Sequence, residues 1–200
     1  EHSVFVQGRA HRLQITINHN NKPGEIPDLR ILRVYNIHNH GLSASMVRNI
    51  GNNINESNNE DIQDPKKSTT FVVGDWNFLP FQESPFPLGR LKDNLRVLRA
   101  PAAGYTHAHK WANIHSSLLE FHQPQPTHFD HKSEQLARLS RIYGSMPGSL
   151  AIKMGITCAP ITAPETIYYD CISDHSPLEL TFSPKWLHKS DSPNFPRHLF

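Results

Sequence analysis

Two short polar segments contain residue types that could carry out hydrolytic chemistry. The first is Gly74-Asp75-Trp76-Asn77, which follows the short run Thr69–Val73. Side chains two positions apart on a strand point to the same side. Asp75 could therefore orient or deprotonate a water molecule while Asn77 donates a hydrogen bond to a phosphate oxygen. The alternative is an ordinary turn, because Gly, Asp and Asn are common turn residues.

The second segment is Ser173-Asp174-His175, which lies just before the apolar run Pro177–Phe182. An adjacent carboxylate and imidazole could serve a divalent metal ion and a phosphoryl group side by side. The alternative is an ordinary polar segment leading into a strand, with Asp174 capping a turn and His175 half exposed. The presence of both motifs in this order, well separated along one chain, favours the chemical interpretation.

Strands mixed with helices are predicted to hold these segments. Ser43 is predicted to cap a helix whose apolar stripe is Met46, Ile50 and Ile54, and which ends in the polar stretch Asn52–Lys67. Short apolar runs predict the strands Ser3–Val6, Leu13–Ile17, Leu29–Asn36, Thr69–Val73, Leu139–Tyr143, Ile152–Thr157 and Pro177–Phe182. This pattern without a tandem repeat predicts a layered α/β or α+β domain.

Composition limits the class of protein without assigning a partner. The 200 residues suit one domain, and a net charge of +2 is too small to indicate nucleic-acid binding by itself. No apolar run reaches the length of a membrane span. Cys158 and Cys171 form no C-x-x-C pair, which predicts buried or half-buried thiols in a reducing compartment and hence an intracellular protein, cytoplasmic or nuclear.

The chain divides into a domain over residues 1–182 and a proline-containing linker or tail over 183–200. Within the domain, Lys92, Arg96 and Arg99 would share one helical face, with Arg90 off that face. These four residues could form a basic stripe that contacts nucleic acid. The alternative is an ordinary solvated helix face.

The order of motifs resembles that of the endonuclease/exonuclease/phosphatase superfamily, a class of metal-dependent phosphodiesterases and phosphatases. The resemblance runs from about Gly8 to Phe182 and implies a four-layer sandwich of two mixed β-sheets flanked by helices, here lacking the N-terminal strands. The matching segments are Gly8-Arg9-Ala10, Asn36-Ile37-His38, Gly74-Asp75-Trp76-Asn77, Pro126-Thr127-His128 and Ser173-Asp174-His175.

The resemblance implies a role for each matched residue. Asp75 would orient or activate the attacking water, and Asn77 would hold a non-bridging phosphate oxygen. His38 and His175 would contact the scissile phosphate, with His175 stabilising the charge that develops in the transition state. Asp174 would be a ligand of Mg²⁺, or of Mn²⁺ as an alternative. By itself, His38 could equally be a loop histidine.

Two departures from the family pattern bear on activity. Ser140 stands where the family usually has the Asp that orients the last His, and a hydroxyl brings no charge. The family's metal-binding Glu lies upstream of the Gly-Arg turn, and seven residues precede Gly8 here. We therefore expect an N-terminally truncated domain that binds metal weakly and shows no Mg²⁺-dependent cleavage of plasmid DNA or of a model phosphodiester. Restoring the upstream segment should recover some activity, and adding Ser140→Asp should recover more.

Three functions fit this sequence. The first is a DNA endonuclease module of a larger polyprotein, such as a non-long-terminal-repeat retroelement that continues into a reverse transcriptase. The second is a phosphatase or phospholipase acting on an inositol phosphate or a lipid phosphodiester. The third is a degenerate domain without catalytic activity.

The family order of motifs also makes a geometric prediction. Asp75, Asn77, Asp174, His175 and His38 should converge in one pocket at the strand ends. A separation above about 10 Å between the Asp75 carboxylate and the His175 imidazole would contradict the proposed chemistry. Ser140 should lie beside His175 on a neighbouring strand.

Overall fold

A computed structural model describes residues 1–19, 28–64, 67–76, 111, 117–132 and 134–182. Asn77, the basic stripe at positions 90–99 and the predicted tail 183–200 lie outside the described residues. The ten strands of the described residues are β1 His2–Val6, β2 Ala10–His19, β3 Asp28–His38, β4 Ser68–Asp75, β5 Leu119–Glu120, β6 His128–Asp130, β7 Gln135–Ala137, β8 Ser140–Gly144, β9 Thr157–Pro160 and β10 Leu178–Thr181. The helices are α1 Ala44–Gln63, α2 Gly148–Lys153 and α3 Pro164–Tyr169.

Six strands form the central sheet in the order β1-β2-β3-β4-β8-β5. Strands β3 and β4 are parallel and are joined through α1, whereas the other neighbouring pairs are antiparallel. Two smaller antiparallel sheets pair β9 with β10 and β6 with β7. The predicted mixed α/β class is therefore confirmed.

The two faces of the central sheet are covered by different layers. On one face, Tyr35, Val72 and Tyr143 belong to the same core cluster as Ile50 and Ile54 of α1. The strand register places Val73 and Ile142 on the opposite face, where Leu178 and Leu180 of β10 pack against a second cluster. The central sheet thus lies between a helix layer and the β9–β10 sheet.

Helix α1 begins as predicted but has a different buried stripe. The Ser43 hydroxyl accepts a hydrogen bond from the Met46 backbone N–H at 3.3 Å, which caps the first turn. Ile50 and Ile54 are buried, whereas Met46 is 41% exposed and Val47 takes its place in the core. The prediction for Met46 was wrong because the helix is rotated so that Val47 faces the sheet.

The helix also continues through the polar stretch that was predicted to end it. Polar side chains on its second half are buried and have partners on β3. Ser57 Oγ lies 2.9 Å from Tyr35 Oη, and Arg33 donates to Asp61 at 3.0 Å and also contacts Glu60. Tertiary hydrogen bonds therefore extend α1 to Gln63, and an apolar pattern cannot reveal them.

The predicted strand Ile152–Thr157 was wrong over most of its length. Residues up to Lys153 form α2, and β9 starts only at Thr157. Ala151 of α2 is buried in the second core cluster, while Ile152 is 74% exposed. A short apolar run fits a strand or a helix equally well, and packing of Ala151 decides for the helix.

The two cysteines are free and differ in exposure. Cys158 on β9 is partly buried, whereas Cys171 is exposed, which corrects the prediction that both would be at least half-buried. No helix among the described residues has both the length and the apolarity needed to cross a membrane.

Replacing Asp61 with Ala should destabilise the fold. Among the described residues it leaves the buried Arg33 guanidinium with only the exposed Glu60 as an acidic contact, and removing one partner of a buried ion pair typically costs about 3 kcal/mol or more. Urea unfolding followed by tryptophan fluorescence would measure the change. The control is Glu56→Ala on an exposed position of α1, which should change the free energy of unfolding by less than about 0.5 kcal/mol.

The two thiols should differ in reactivity and in its pH dependence. Burial raises the pKa of the Cys158 thiol to about 11, with Arg138 lowering it and Glu120 raising it. The thiolate is the reactive form, so the Cys171→Ser chain, which retains Cys158, should react slowly with Ellman's reagent at pH 8. Its rate should rise about tenfold for each pH unit between pH 8 and 10. The Cys158→Ser chain, which retains the exposed thiol, should react much faster at pH 8. Equal rates would contradict this burial.

Candidate active site

Asp75 lies between two imidazoles. Its Oδ2 is 3.1 Å from Nδ1 of His38 and 3.8 Å from Nε2 of His175. The Asp75 side chain is 12% exposed, while those of His38 and His175 are 43% and 26% exposed. The structure therefore brings together three residues that lie far apart in sequence, well inside the 10 Å limit.

Ser140 completes the group on the other side of His175. Its Oγ is 3.3 Å from Nδ1 of His175, as the sequence predicted for the position of the family's orienting Asp. The contact can fix the orientation of the ring, but a hydroxyl adds no negative charge to favour the imidazolium. The other ring nitrogen of His175 remains directed toward Asp75.

The strand register explains why His38, Asp75 and Ser140 are neighbours. In the parallel β3–β4 pair His38 is opposite Asp75, and in the antiparallel β4–β8 pair Asp75 is opposite Ser140. Residues opposite one another on adjacent strands project on the same face. The three side chains therefore form a row across three adjacent strands, and His175 lies over this row from the segment before β10.

Gly74 permits the close approach of β3 and β4 beside this row. It has a φ of +149°, and a Cβ at this position would lie 1.8 Å from the carbonyl oxygen of Ile37. The glycine of the Gly-Asp-x-Asn motif is therefore required because the backbone of the neighbouring strand leaves no space for a side chain. A side chain there would push His38 and Asp75 apart.

A buried polar contact joins the ends of β3 and β4. Asn39 is fully buried, its Nδ2 donates to the Trp76 carbonyl at 2.7 Å, and its Oδ1 accepts from Trp111 Nε1 at 2.8 Å. The Asn39 backbone N–H also donates to the Asp75 carbonyl at 2.9 Å. The Trp76 ring packs edge-on against Trp111 and Tyr143. This contact fixes the backbone immediately after the Asp75 side chain.

The fully buried Thr127 anchors the segments that carry Ser140 and His175. Its hydroxyl accepts from the backbone N–H groups of Leu139 and Ser140 at 3.0 and 2.9 Å. Its carbonyl accepts from the Ser176 N–H at 2.8 Å. One residue thus holds the start of β8 and the segment before β10 in register.

Asp174 points toward a different imidazole. Its Oδ2 is 3.6 Å from Nε2 of His128, and its side chain is 55% exposed. His128 forms an isolated bridge with His175, and their ring centroids are 4.7 Å apart. Asp174 thus contacts the residues around Asp75 indirectly, through His128 and His175. Asn77 lies outside the described residues. The roles expected for all five residues stay predictions.

The group borders an open cleft of about 930 Å³ on the face of the central sheet. His2, His11, His38 and His175 line it, and Asp75 is the carboxylate among the described lining residues. The Arg141 side chain is buried and projects to the opposite face of the sheet. The rings of His2 and His11 stack with centroids 5.6 Å apart. N–H donors predominate over carboxylates along this wall, which suits an anionic ligand.

Sequence reasoning missed three residues that hold the site. His128 and Thr127 were noticed only as part of Pro126-Thr127-His128, and Asn39 was not considered. Thr127 and Asn39 act through backbone groups that are distant in sequence, so no local pattern identifies them. Their complete burial despite polar side chains becomes visible only in the fold.

No protein-family model and no curated protein matches this chain. Among solved structures, the chain is similar to the crystal structure of cytolethal distending toxin from Actinobacillus actinomycetemcomitans, at 17% identity and a TM-score of 0.37. The match covers 86% of this chain, which spans 58% of the length of that chain. At this TM-score the likeness carries no functional conclusion, and the comparisons give the retroelement origin no support.

Gly74→Ala should disrupt both the fold and the site. The new Cβ would overlap backbone atoms of Ile37, so the free energy of unfolding should fall by at least about 3 kcal/mol. Gly148→Ala is the matched control, because its Cβ would meet only Leu119 at 3.9 Å and the change should stay within about 0.5 kcal/mol. Urea unfolding of both variants would test this, and equal stabilities would contradict the close approach at Gly74.

Proposed function

We propose that this chain is a phosphodiester-hydrolysing domain whose substrate is DNA, as in an endonuclease module. The observation that carries the proposal is the convergence of His38, Asp75, Ser140 and His175 from four separate segments. Proximity of a carboxylate to two imidazoles provides the groups that hydrolysis of a phosphodiester needs. The resemblance of the five matching segments to the endonuclease/exonuclease/phosphatase superfamily points to the same reaction.

In this proposal Asp75 orients the attacking water. Its carboxylate is mostly buried and is held by His38 Nδ1 at 3.1 Å, so its position is fixed before a substrate enters. A carboxylate in hydrogen-bond reach of water can align a lone pair toward phosphorus and accept a proton. His38 thus acts by orienting Asp75 and by offering its outer edge to the phosphate.

His175 stabilises the charge that develops on the phosphate oxygens. With Nδ1 in contact with Ser140, its Nε2 faces Asp75 and the space where a phosphate would lie. An N–H donor aimed at developing negative charge lowers the barrier most when its orientation is fixed in advance. Ser140 supplies the orientation but no charge, so we propose a slow enzyme.

The Mg²⁺ ion expected from the resemblance needs several oxygen ligands, and the described residues around Asp174 provide few of them. Around Asp174 the described donors are two imidazoles and one carboxylate, whereas Mg²⁺ prefers oxygen ligands. Mg²⁺, with Mn²⁺ as its alternative, stays a prediction from the resemblance. The roles of Asp75, His38 and His175 above require no position for an ion.

DNA is favoured over a small phosphate ester by the form of the cleft. The cleft is open, extends from Asp75 across β3 and β2 to β1, and carries histidines at both ends. A polyanion could contact several of these donors at once. Continuation into a reverse transcriptase and an intracellular location stay predictions.

Contrary to the expectation from the resemblance, the 200-residue chain should nick supercoiled plasmid slowly, because His38, Asp75 and His175 are already brought together. His175→Ala should remove the activity. Ser140→Asp should raise the rate, because a carboxylate at Nδ1 favours the imidazolium; loss of a comparable orienting Asp in a hydrolytic triad costs about 10⁴-fold. The assay is run with Mg²⁺ and separately with Mn²⁺. His122→Gln, an exposed histidine outside the cleft lining, is the matched control and should leave the rate unchanged.

Inositol phosphate and a lipid phosphodiester serve as comparison substrates. If either is turned over faster than DNA, that compound is the better substrate, and the proposed active site still stands. Absence of His175-dependent turnover of all three, in both the native and the Ser140→Asp chains, would refute the proposed function.

A further inference from the structure

We propose that His128, Asp174 and His175 form a binding site for a divalent transition-metal ion such as Zn²⁺. One ligand atom from each of the three residues lies within 4.8 Å of the other two. The inference shares His175 and Asp174 with the proposed function and adds His128, to which the sequence assigned no role.

The ligand types decide the class of ion. Two imidazoles and one carboxylate are the donors found around Zn²⁺ and other first-row ions, whereas Mg²⁺ requires near-octahedral oxygen coordination. The 3.6 Å between His128 Nε2 and Asp174 Oδ2 is close to the separation of two ligands in a tetrahedral site with bonds of about 2.0–2.1 Å. Small side-chain rotations would bring the third ligand into range.

The backbone holds the three residues in place before an ion binds. His128 and His175 face each other in a β-bridge, and the Phe129 N–H donates to the Asp174 carbonyl at 2.9 Å. Ser176, which follows His175, donates its backbone N–H to the Thr127 carbonyl at 2.8 Å. Hydrogen bonds on both sides of His128 and of His175 therefore limit the conformational entropy that binding would cost.

A second contact directs the His175 ring. Its Nδ1 lies 3.3 Å from Ser140 Oγ, which makes Nε2 the nitrogen available to an ion. Metal-ligating histidines commonly use the other ring nitrogen in such a contact, which fixes the tautomer. Since Nε2 can serve either an ion or a phosphate oxygen, the two occupants are expected to exclude each other.

The exposure of the three residues matches a site that ions can enter. The side chains of His128 and His175 are 18% and 26% exposed, and that of Asp174 is 55% exposed. Three protein ligands leave a fourth tetrahedral position for water, as in open zinc sites.

The test uses the whole 200-residue chain and Co²⁺ as a spectroscopic probe. Co²⁺ bound to nitrogen and oxygen ligands of low coordination number should give visible d–d absorption that titrates to one ion per chain, and Zn²⁺ should abolish it. Mg²⁺ in about hundredfold excess should leave it unchanged. Isothermal titration with Zn²⁺ provides the affinity.

Variants identify the ligands. His128→Gln and Asp174→Asn should each weaken Zn²⁺ binding at least tenfold, since loss of even an outer-shell partner costs about 10–100-fold. His131→Gln is the matched control, because His131 follows β6 on the same hairpin but stacks on Tyr168. Asp174 is exposed, so Asp174→Asn tests the site even where His128→Gln impairs folding, which far-UV circular dichroism would show.

The outcomes separate this inference from the proposed function. Equal binding by the native chain and both ligand variants would overturn the site, as would displacement of Co²⁺ by Mg²⁺. His175-dependent cleavage without Co²⁺ binding would overturn only the metal site. Co²⁺ binding that requires His128 and Asp174, without cleavage, supports the metal site and counts against the proposed function.

Discussion

The parallel pairing of β3 with β4 is the constraint on which the site depends. It places His38 opposite Asp75, and the antiparallel pairing of β8 adds Ser140 on the other side of Asp75. The pairing is possible because Gly74 has no side chain to meet the Ile37 carbonyl. A shift of one residue in either register would turn the side chains of the shifted strand to the opposite face and break the row.

Two buried polar residues turn this register into a fixed geometry. Asn39 bonds to the backbone and ring groups that follow Asp75, and Thr127 bonds to the segments that carry Ser140 and His175. Both satisfy backbone groups that would otherwise be costly to bury. The active-site side chains can therefore remain partly exposed, because their positions are set by the backbone beneath them.

The Asp75 carboxylate lies beside two imidazoles, whereas Nδ1 of His175 contacts the neutral Ser140 hydroxyl. His38 holds Asp75 directly, and His175 lies 3.8 Å from the same oxygen. His175 also adjoins His128 and Asp174, so its ring belongs to two groups at once. The chemistry of this end of the cleft therefore depends on which occupant reaches Nε2.

The mixed α/β class, the Ser43 cap and most strands could be predicted from local patterns in the sequence, and the resemblance of its motifs to a known superfamily predicted the residues that converge around Asp75. These features depend on local propensity, two-residue periodicity and short motifs, which a single sequence contains. Only the tertiary structure decided the length of α1, the helix at Gly148–Lys153, the place of His128 beside Asp174 and the supporting roles of Asn39 and Thr127. Each of these depends on hydrogen bonds or packing between segments distant in sequence, and such contacts leave no periodic pattern in the chain.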